Sequence, residues 1–207
     1  MAALKNIIFD LGGVLIDLDY KKTEDAFISL GYENFHTMYS QYTADELFRK
    51  LETGKISNED FYKVAINAHA GSVTEEAIQA AWNAMLLSWR NESLLFLEKI
   101  STQYRIFLLS NTNAIHFEAF HRSLKEETGR ESIEPLFTKA YWSHKIGLRK
   151  PDAEVFEFVA KDAGIRPEET LLIDDSENNI KKAAELGFKT HLLIAGELVE
   201  ELNYRKF

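Results

Sequence analysis

The sequence contains no cysteine, which excludes disulfide bonds and thiol catalysis. A chain without cysteine is typical of a reducing compartment. The sequence also lacks an apolar run of the roughly 18–20 residues that a membrane span requires. Its first ten residues, MAALKNIIFD, do not read as a signal peptide. We therefore expect a cytoplasmic protein without a membrane partner.

Positive charge is scarce, because 24 Lys and Arg face 33 Asp and Glu, for a formal net charge of -9. This balance repels nucleic acid, so we expect no nucleic-acid partner, and any anion site must be local. The 207 residues are 45% hydrophobic and 28% charged, which is ordinary for a globular protein with a sizeable core. The composition leaves the oligomeric state open between monomer and dimer.

Five short apolar runs without strict alternation predict the strands of a parallel sheet that is covered on both faces. Helical patterns lie between the later runs, and one of them stops at Gly187. Strands alternating with helices predict an α/β doubly wound sheet, in which ligands bind at the carboxyl ends of the strands. The predicted strands are residues 4–10, 105–110, 137–143, 170–174 and 189–194.

A gap of about ninety residues separates the first two predicted strands, which is too long for a single crossover. The gap reads as helix throughout, with capping boxes at Thr43 and Ser57 and an apolar helical pattern that runs from Thr74 to Trp89 and includes Trp82. The expected division is an all-helical insertion at residues 18–90 and an α/β core at residues 1–17 and 91–207.

Polar side chains follow four of the predicted strands, and the carboxyl ends of parallel strands meet at one edge of the sheet. Packed carboxylates raise one another's pKa unless a cation neutralises them, and their oxygens suit Mg²⁺ beside a phosphate. Hydroxyl, amide and ammonium groups at the same edge could hold phosphate oxygens, and a carboxylate could attack phosphorus. The residues at these strand ends are Asp10, Ser110, Asn111, Lys150, Asp174, Asp175 and Asn179.

These residues fall in an order that resembles the haloacid dehalogenase (HAD) superfamily of hydrolases over nearly the whole chain. The four ordered motifs of that family are matched by Asp-Leu-Gly-Gly-Val at 10–14, Leu-Leu-Ser-Asn at 108–111, Lys-Pro at 150–151, and Ile-Asp-Asp at 173–175 with Asn179. The helical insertion resembles the C1 cap of subfamily IA. The segments FDLGGVL, LLSNTN, GLRKPD and IDDSENN resemble a bacterial phosphatase subgroup that includes glucose-1-phosphate phosphatases.

The resemblance implies a five-stranded Rossmann-like core with an inserted helical cap, a Mg²⁺ cofactor and a phosphate-ester substrate. Asp10 matches the nucleophile of the family, and Lys150 matches the lysine that neutralises the nucleophile and the phosphate. The implied metal ligands are Asp10, the carbonyl of Gly12, Asp175 and, in the second shell or through water, Asp174. The implied phosphate-binding residues are Ser110, Asn111 and Lys150, and Asn179 supports the metal-site loop.

Gly12 departs from the family pattern, because most phosphatases of the family carry a second Asp there that protonates the leaving alcohol. General acid–base help of this kind is typically worth about 10²–10⁴ in rate. The sequence leaves three alternatives open. The first is a phosphatase that uses an easy leaving group, such as that of a sugar-1-phosphate, or another acid, for which Asp17 is a candidate; Asp17 also fits a simple turn carboxylate. The others are a haloacid dehalogenase, against which the Asp174-Asp175 pair argues because those enzymes need no metal, and a non-catalytic phosphometabolite-binding protein.

Polar residues of the insertion are candidates for substrate contact, because the cap sets substrate choice in the family that the chain resembles. Arg49 is the best of three candidates, ahead of Tyr42 and Lys55. We therefore expect a Mg²⁺-dependent phosphatase that hydrolyses a small phosphorylated metabolite, such as a sugar phosphate, through an aspartyl-phosphate on Asp10.

Overall fold

The computed structural model describes residues 2–38, 45–69 and 72–207, and strands and helices alternate along them. The strands are β1 (Asn6–Phe9), β2 (Ile16–Leu18), β3 (Leu86–Trp89), β4 (Arg105–Ser110), β5 (Lys139–Trp142), β6 (Thr170–Asp174) and β7 (Lys189–Leu192). The helices are α1 (Tyr20–Ser29), α2 (Phe35–Met38), α3 (Glu46–Glu52), α4 (Asn58–Ala68), α5 (Glu75–Asn83), α6 (Asn91–Ile100), α7 (Ala114–Thr128), α8 (Ser143–Ile146), α9 (Ala153–Ala163) and α10 (Glu177–Glu185).

The central sheet has five parallel strands in the order β5-β4-β1-β6-β7. β1 lies in the middle and pairs with β4 on one side and β6 on the other. All five predicted strands are present, and each predicted end lies within two residues of the end in the structure. The predicted α/β doubly wound fold is therefore confirmed.

The side chains of β1 explain why the predicted strands are apolar without alternation. Ile7 and Phe9 enter one hydrophobic core, together with residues of α6 such as Leu94. Ile8 enters a separate core, which includes Val155 of α9. Because successive side chains of a strand point to opposite faces, a sheet covered on both faces needs apolar residues at every position.

Helices α1 to α5 pack around one hydrophobic core, to which Ile115 of α7 also contributes, and are here called the helical region (residues 20–83). Its core is aromatic, with the ring of Phe27 stacked on Phe35 at a centroid distance of 4.1 Å and Trp82 fully buried. Ser57 caps α4 as predicted, accepting a hydrogen bond from the backbone of the helix. Asp45 caps α3, whereas the predicted cap residue Thr43 lies outside the described residues.

The prediction that the insertion is helical up to Trp89 is wrong at its end. α5 stops at Asn83, and β3 follows, paired antiparallel with β2. Trp89 consequently packs in the α/β core, where its indole Nε1 donates to Ser123 Oγ at 3.0 Å. The reason is tertiary, since β2 offers hydrogen-bonding partners that periodicity along one segment does not reveal.

None of the helices in the described part of the chain combines the length and the apolar composition that a bilayer crossing requires.

Candidate active site

Three carboxylates meet at the carboxyl edge of the central sheet. Asp10 follows β1 directly, and its backbone N–H donates to the carbonyl of Ile173 in β6 at 2.9 Å. Asp174 ends β6 and Asp175 follows it. One carboxylate oxygen from each of the three aspartates lies within 4.8 Å of the others, so the structure brings Asp10 together with the Asp174-Asp175 pair, which is far from it in sequence.

Lys150 supplies the cation of this cluster. Its side chain is 1% exposed, and its Nζ lies 2.8 Å from Asp10 Oδ1 and 2.5 Å from Asp174 Oδ2. Burial alone would lower the pKa of Lys150, but the attraction of Asp10 and Asp174 outweighs burial and raises it. The lysine is therefore protonated and holds two buried carboxylates together.

One lysine does not neutralise three carboxylates. Burial raises the pKa of Asp10 from its ordinary 3.8 to about 7; the ammonium of Lys150 opposes this rise, and the charges of Asp174 and Asp175 add to it. The net negative charge of the cluster favours a further cation, and oxygen ligands of this kind suit a divalent ion such as Mg²⁺. The donor set therefore fits the metal that the sequence predicts.

Asp174 is held in place by hydrogen bonds on both of its carboxylate oxygens. Oδ2 accepts from Lys150, while Oδ1 accepts from the backbone N–H of Ser176 and from Asn179 Nδ2, each at 2.9 Å. Asn179 thus contacts the site through Asp174. With its oxygens engaged by protein donors, Asp174 is suited to orienting Lys150, which leaves Asp10 and Asp175 as the better candidates for direct metal ligands.

Asn111 contacts the lysine in a way that the sequence did not predict. Its side-chain Nδ2 donates to the carbonyl of Lys150, and its Oδ1 accepts from the N–H of Lys150, both at 2.9 Å. The amide therefore fixes the backbone of Lys150 against the end of β4. Ser110 is buried at the end of the same strand, and its contact with phosphate stays a prediction.

Gly13 is required by the close approach of Asp175. Its φ of +68° lies in the left-handed region, and a Cβ built on its backbone would overlap the Asp175 carboxylate. Only glycine leaves room for this carboxylate at the position where it faces Asp10.

Replacement of Gly13 by Ala is expected to weaken Mg²⁺ binding at least about tenfold, because the methyl group displaces the Asp175 carboxylate in addition to straining the backbone. Isothermal titration of Mg²⁺ into each protein measures the effect. Gly129→Ala is the matched control, since Gly129 has a similar φ of +74° and no atom near the added methyl. Equal Mg²⁺ affinity in both variants would refute a role for Gly13 at the metal site.

The space beside Gly12 is taken by the side chain of Leu18, the last residue of β2. A Cβ on Gly12 would lie 2.5 Å from Leu18 Cδ1, so the side chain of Leu18 fills the place where a second aspartate would begin. The absence of an acid at this position is therefore matched by an apolar neighbour.

Asp17 forms an ion pair with Arg90. Arg90 Nε lies 2.8 Å from Asp17 Oδ1, and Arg90 Nη1 donates to the carbonyl of Val14 at 3.3 Å. Asp17 and Asp175 both line a cavity of about 410 Å³. Asp17 thus faces the same cavity as a predicted metal ligand, but its carboxylate is engaged by a guanidinium.

Tyr20 lines the same cavity and was missed in the sequence. Burial raises the pKa of its phenol well above 10, and the nearby charges of Asp175, Asp10 and Glu52 raise it further. The hydroxyl is therefore neutral at physiological pH, in the cavity that Asp175 also lines. A lone Tyr after the N-cap Asp19 carries no sequence signal of such a position.

Arg49, predicted to contact substrate, forms an ion pair with Asp152 at 3.2 Å. Arg49 and Lys55 line a cleft between α3 and the segment that precedes α9. Tyr42 lies outside the described residues. A contact between Arg49 and the substrate stays a prediction, and the partner that the structure records for it is Asp152.

Comparison with known proteins adds an independent observation. Residues 4–187 match the model of the haloacid dehalogenase-like hydrolase family. The chain is 34% identical over 187 residues to a D-ribitol-5-phosphate phosphatase from Bacteroides thetaiotaomicron, and the match covers 90% of each chain.

Solved structures agree with this match. A HAD-family enzyme from Bacteroides thetaiotaomicron, crystallised as a variant with magnesium and inorganic phosphate, superposes with a TM-score of 0.86 at 36% identity, covering 94% of this chain and 96% of that one. A HAD-like hydrolase from Porphyromonas gingivalis superposes with a TM-score of 0.85 at 32% identity, covering 95% and 94%.

Proposed function

The chain belongs to the haloacid dehalogenase-like hydrolases, and on that footing we propose that it is a Mg²⁺-dependent phosphatase of a small phosphorylated metabolite. One observation carries the proposal: the ammonium of Lys150 lies between Asp10 and Asp174 at the carboxyl end of the central strand, beside Asp175. That arrangement supplies a held carboxylate, a cation for a phosphate oxygen and a site for a metal.

Asp10 acts as the nucleophile in the proposed reaction. Its carboxylate oxygen forms a bond to phosphorus as the bond from phosphorus to the alcohol oxygen breaks, and the departing oxygen takes up a proton. Water then attacks the phosphorus of the aspartyl-phosphate, releasing inorganic phosphate, a proton and the free Asp10 carboxylate. Lys150 holds Asp10 in position and neutralises charge on the phosphate, while Ser110 and the backbone N–H of Asn111 bind the phosphate oxygens.

Asp10, the carbonyl of Gly12 and Asp175 are the proposed Mg²⁺ ligands. Bound there, the ion supplies neutralisation and orientation of the phosphate. Gly13 leaves room for Asp175, and Asp174 is oriented by the backbone N–H of Ser176 and by Asn179.

This chain lacks the side chain that protonates the leaving oxygen in most phosphatases of its family, because Gly12 stands in its place. Leu18 fills the space beside Gly12, and Asp17 is paired with Arg90. We therefore propose that the substrate has a leaving group that needs little help from an acid, as the anomeric oxygen of a sugar-1-phosphate does. The relative that acts on D-ribitol-5-phosphate supports a second class, a polyol or sugar phosphate with a primary alcohol.

A panel of phosphate esters at fixed Mg²⁺ tests the proposal. We expect Mg²⁺-dependent release of inorganic phosphate from p-nitrophenyl phosphate, whose leaving group needs no proton, and from at least one sugar or polyol phosphate. Glucose-1-phosphate, glucose-6-phosphate and ribitol-5-phosphate distinguish the substrate classes. A protein that hydrolyses none of these esters but binds them in calorimetry is the non-catalytic alternative, and halide release from a 2-haloacid without Mg²⁺ identifies the dehalogenase.

A further inference from the structure

The loop that carries the proposed catalytic lysine is tied to the helical region at two points. This lysine loop (residues 147–152) precedes α9 and contains Arg149, Lys150 and Asp152. Arg149 Nε lies 2.8 Å from Glu52 Oε2, and Asp152 Oδ2 lies 3.2 Å from Arg49 Nη2. Arg49 and Glu52 are three residues apart on α3, so one face of that helix contacts the residues on either side of Lys150-Pro151.

The two ion pairs differ in burial. The Glu52 and Arg149 side chains are 4% and 13% exposed, whereas those of Arg49 and Asp152 are 47% and 41% exposed. Solvent screens an exposed pair, while breaking a buried pair leaves an uncompensated charge out of water. The Glu52–Arg149 contact lacks the alignment of a hydrogen bond and acts as a charge pair. It is therefore the stronger of the two restraints on the loop.

The backbone also brings α3 onto the core. Gly54, in the turn after α3, has a φ of +64°, and a Cβ there would overlap the carbonyl oxygen of His144 in α8. The turn that follows Glu52 thus lies directly against the helix that precedes the lysine loop. This close approach sets the distance at which the two charges meet.

On the other side, the loop is held by the core. Asn111, which follows β4, binds the N–H and the carbonyl of Lys150. Within the loop, the N–H of Asp152 donates to the carbonyl of Arg149 at 3.1 Å. The position of the Lys150 backbone is consequently shared between β4, through Asn111, and α3, through Arg149.

We propose that Glu52 is a positioning residue, which acts through Arg149 to hold Lys150 where its ammonium reaches both Asp10 and Asp174. The inference rests on the proposed phosphatase, because Lys150 matters there as the partner of the nucleophile. It makes the docking of the helical region a condition for a correctly placed lysine.

Glu52→Gln tests the inference, because the amide keeps the size of the side chain and removes its charge. With p-nitrophenyl phosphate and Mg²⁺ we expect kcat to fall about 10- to 100-fold, as small misplacements of catalytic groups do, and KM to stay within about twofold. Arg149→Gln should have the same effect. The double variant should be no worse than either single variant, because each substitution removes the same contact.

A second measurement does not depend on activity. Amide hydrogen exchange followed by NMR should be at least about tenfold faster at Lys150 and Asp152 in Glu52→Gln, while strands β1 and β4 keep their protection. A general loss of stability would instead speed exchange throughout the sheet. If the unmodified protein hydrolyses no ester, the proposed function fails, and the exchange result still decides whether Glu52 holds the lysine loop.

Glu46→Gln is the matched control, since Glu46 lies in the same helix and pairs with Lys50 at the surface. It should change neither kcat nor exchange at Lys150. Unchanged kcat and unchanged exchange in Glu52→Gln would overturn the inference, and so would a rise in KM alone, which would mark Glu52 as a substrate contact. Should Glu52→Gln fail to fold, Arg149→Lys, which keeps the charge but loses the Nε contact, decides by the same two criteria.

Discussion

Asp10→Asn is expected to lower kcat by about 10³-fold or more with every phosphate ester that the protein hydrolyses, because the amide is not a nucleophile toward phosphorus. Steady-state rates of phosphate release at saturating Mg²⁺ measure the loss. Asn has the shape of Asp, so the fold is retained. Since burial raises the pKa of Asp10 to about 7, the carboxylate, which predominates at pH 8, destabilises the folded state relative to the unfolded chain. The metal-free variant is thus expected to unfold at the same or a higher temperature than the unmodified protein.

Two comparisons make this result specific. The rise in melting temperature that Mg²⁺ produces in the unmodified protein should be lost or much reduced in Asp10→Asn, because a proposed ligand is gone. Asp25→Asn, which alters an exposed aspartate paired with Lys21, should change neither the rate nor the effect of Mg²⁺. Turnover in Asp10→Asn close to that of the unmodified protein would exclude an aspartyl-phosphate on Asp10.

Lys150→Met is expected to lose both activity and stability. Met has a similar volume but no charge, so Asp10 and Asp174 are left buried without their cation. Breaking a buried pair in this way typically costs about 3–5 kcal/mol. In a chain of this size each kcal/mol lowers the melting temperature by about 2–4 °C, so we expect a fall of roughly 6–20 °C in calorimetry without metal.

The loss of stability in Lys150→Met should depend on pH, because it arises from the same charges. Without the ammonium, the pKa of Asp10 rises further, so the folded variant binds a proton that the unfolded chain releases. Its destabilisation should therefore be largest near pH 8 and shrink as the pH falls toward 5. Lys161→Met, at an exposed position on α9, should leave stability and rate unchanged. A Lys150→Met protein with full activity would remove the lysine from the proposed mechanism.

The positions of the proposed site residues followed from local sequence. Asp10 and Asp174 each end a short apolar run, and such runs form the buried strands of a parallel sheet whatever lies between them. Since parallel strands present their carboxyl ends at one edge, the order of the runs was enough to predict that these carboxylates meet.

The same reasoning failed where a local pattern is compatible with both a helix and a strand. The run that includes Trp82 and Trp89 is apolar at helical spacing, but only its first part is helix, because β2 pairs with the segment from Leu86 to Trp89. Short apolar segments are ambiguous between helix and strand, and the choice depends on a partner that is about seventy residues away in the chain.

The sequence by itself determined the five-stranded α/β fold, the helical region between β2 and β3, and the residue types at the strand ends, because periodicity and strand termini are local properties. The tertiary structure decided how those residues are held. The amide of Asn111 on the backbone of Lys150, the charge of Glu52 on Arg149 and the side chain of Leu18 beside Gly12 all depend on contacts between distant segments. No pattern within a single segment encodes such contacts, since their distances are set by how helices and strands pack.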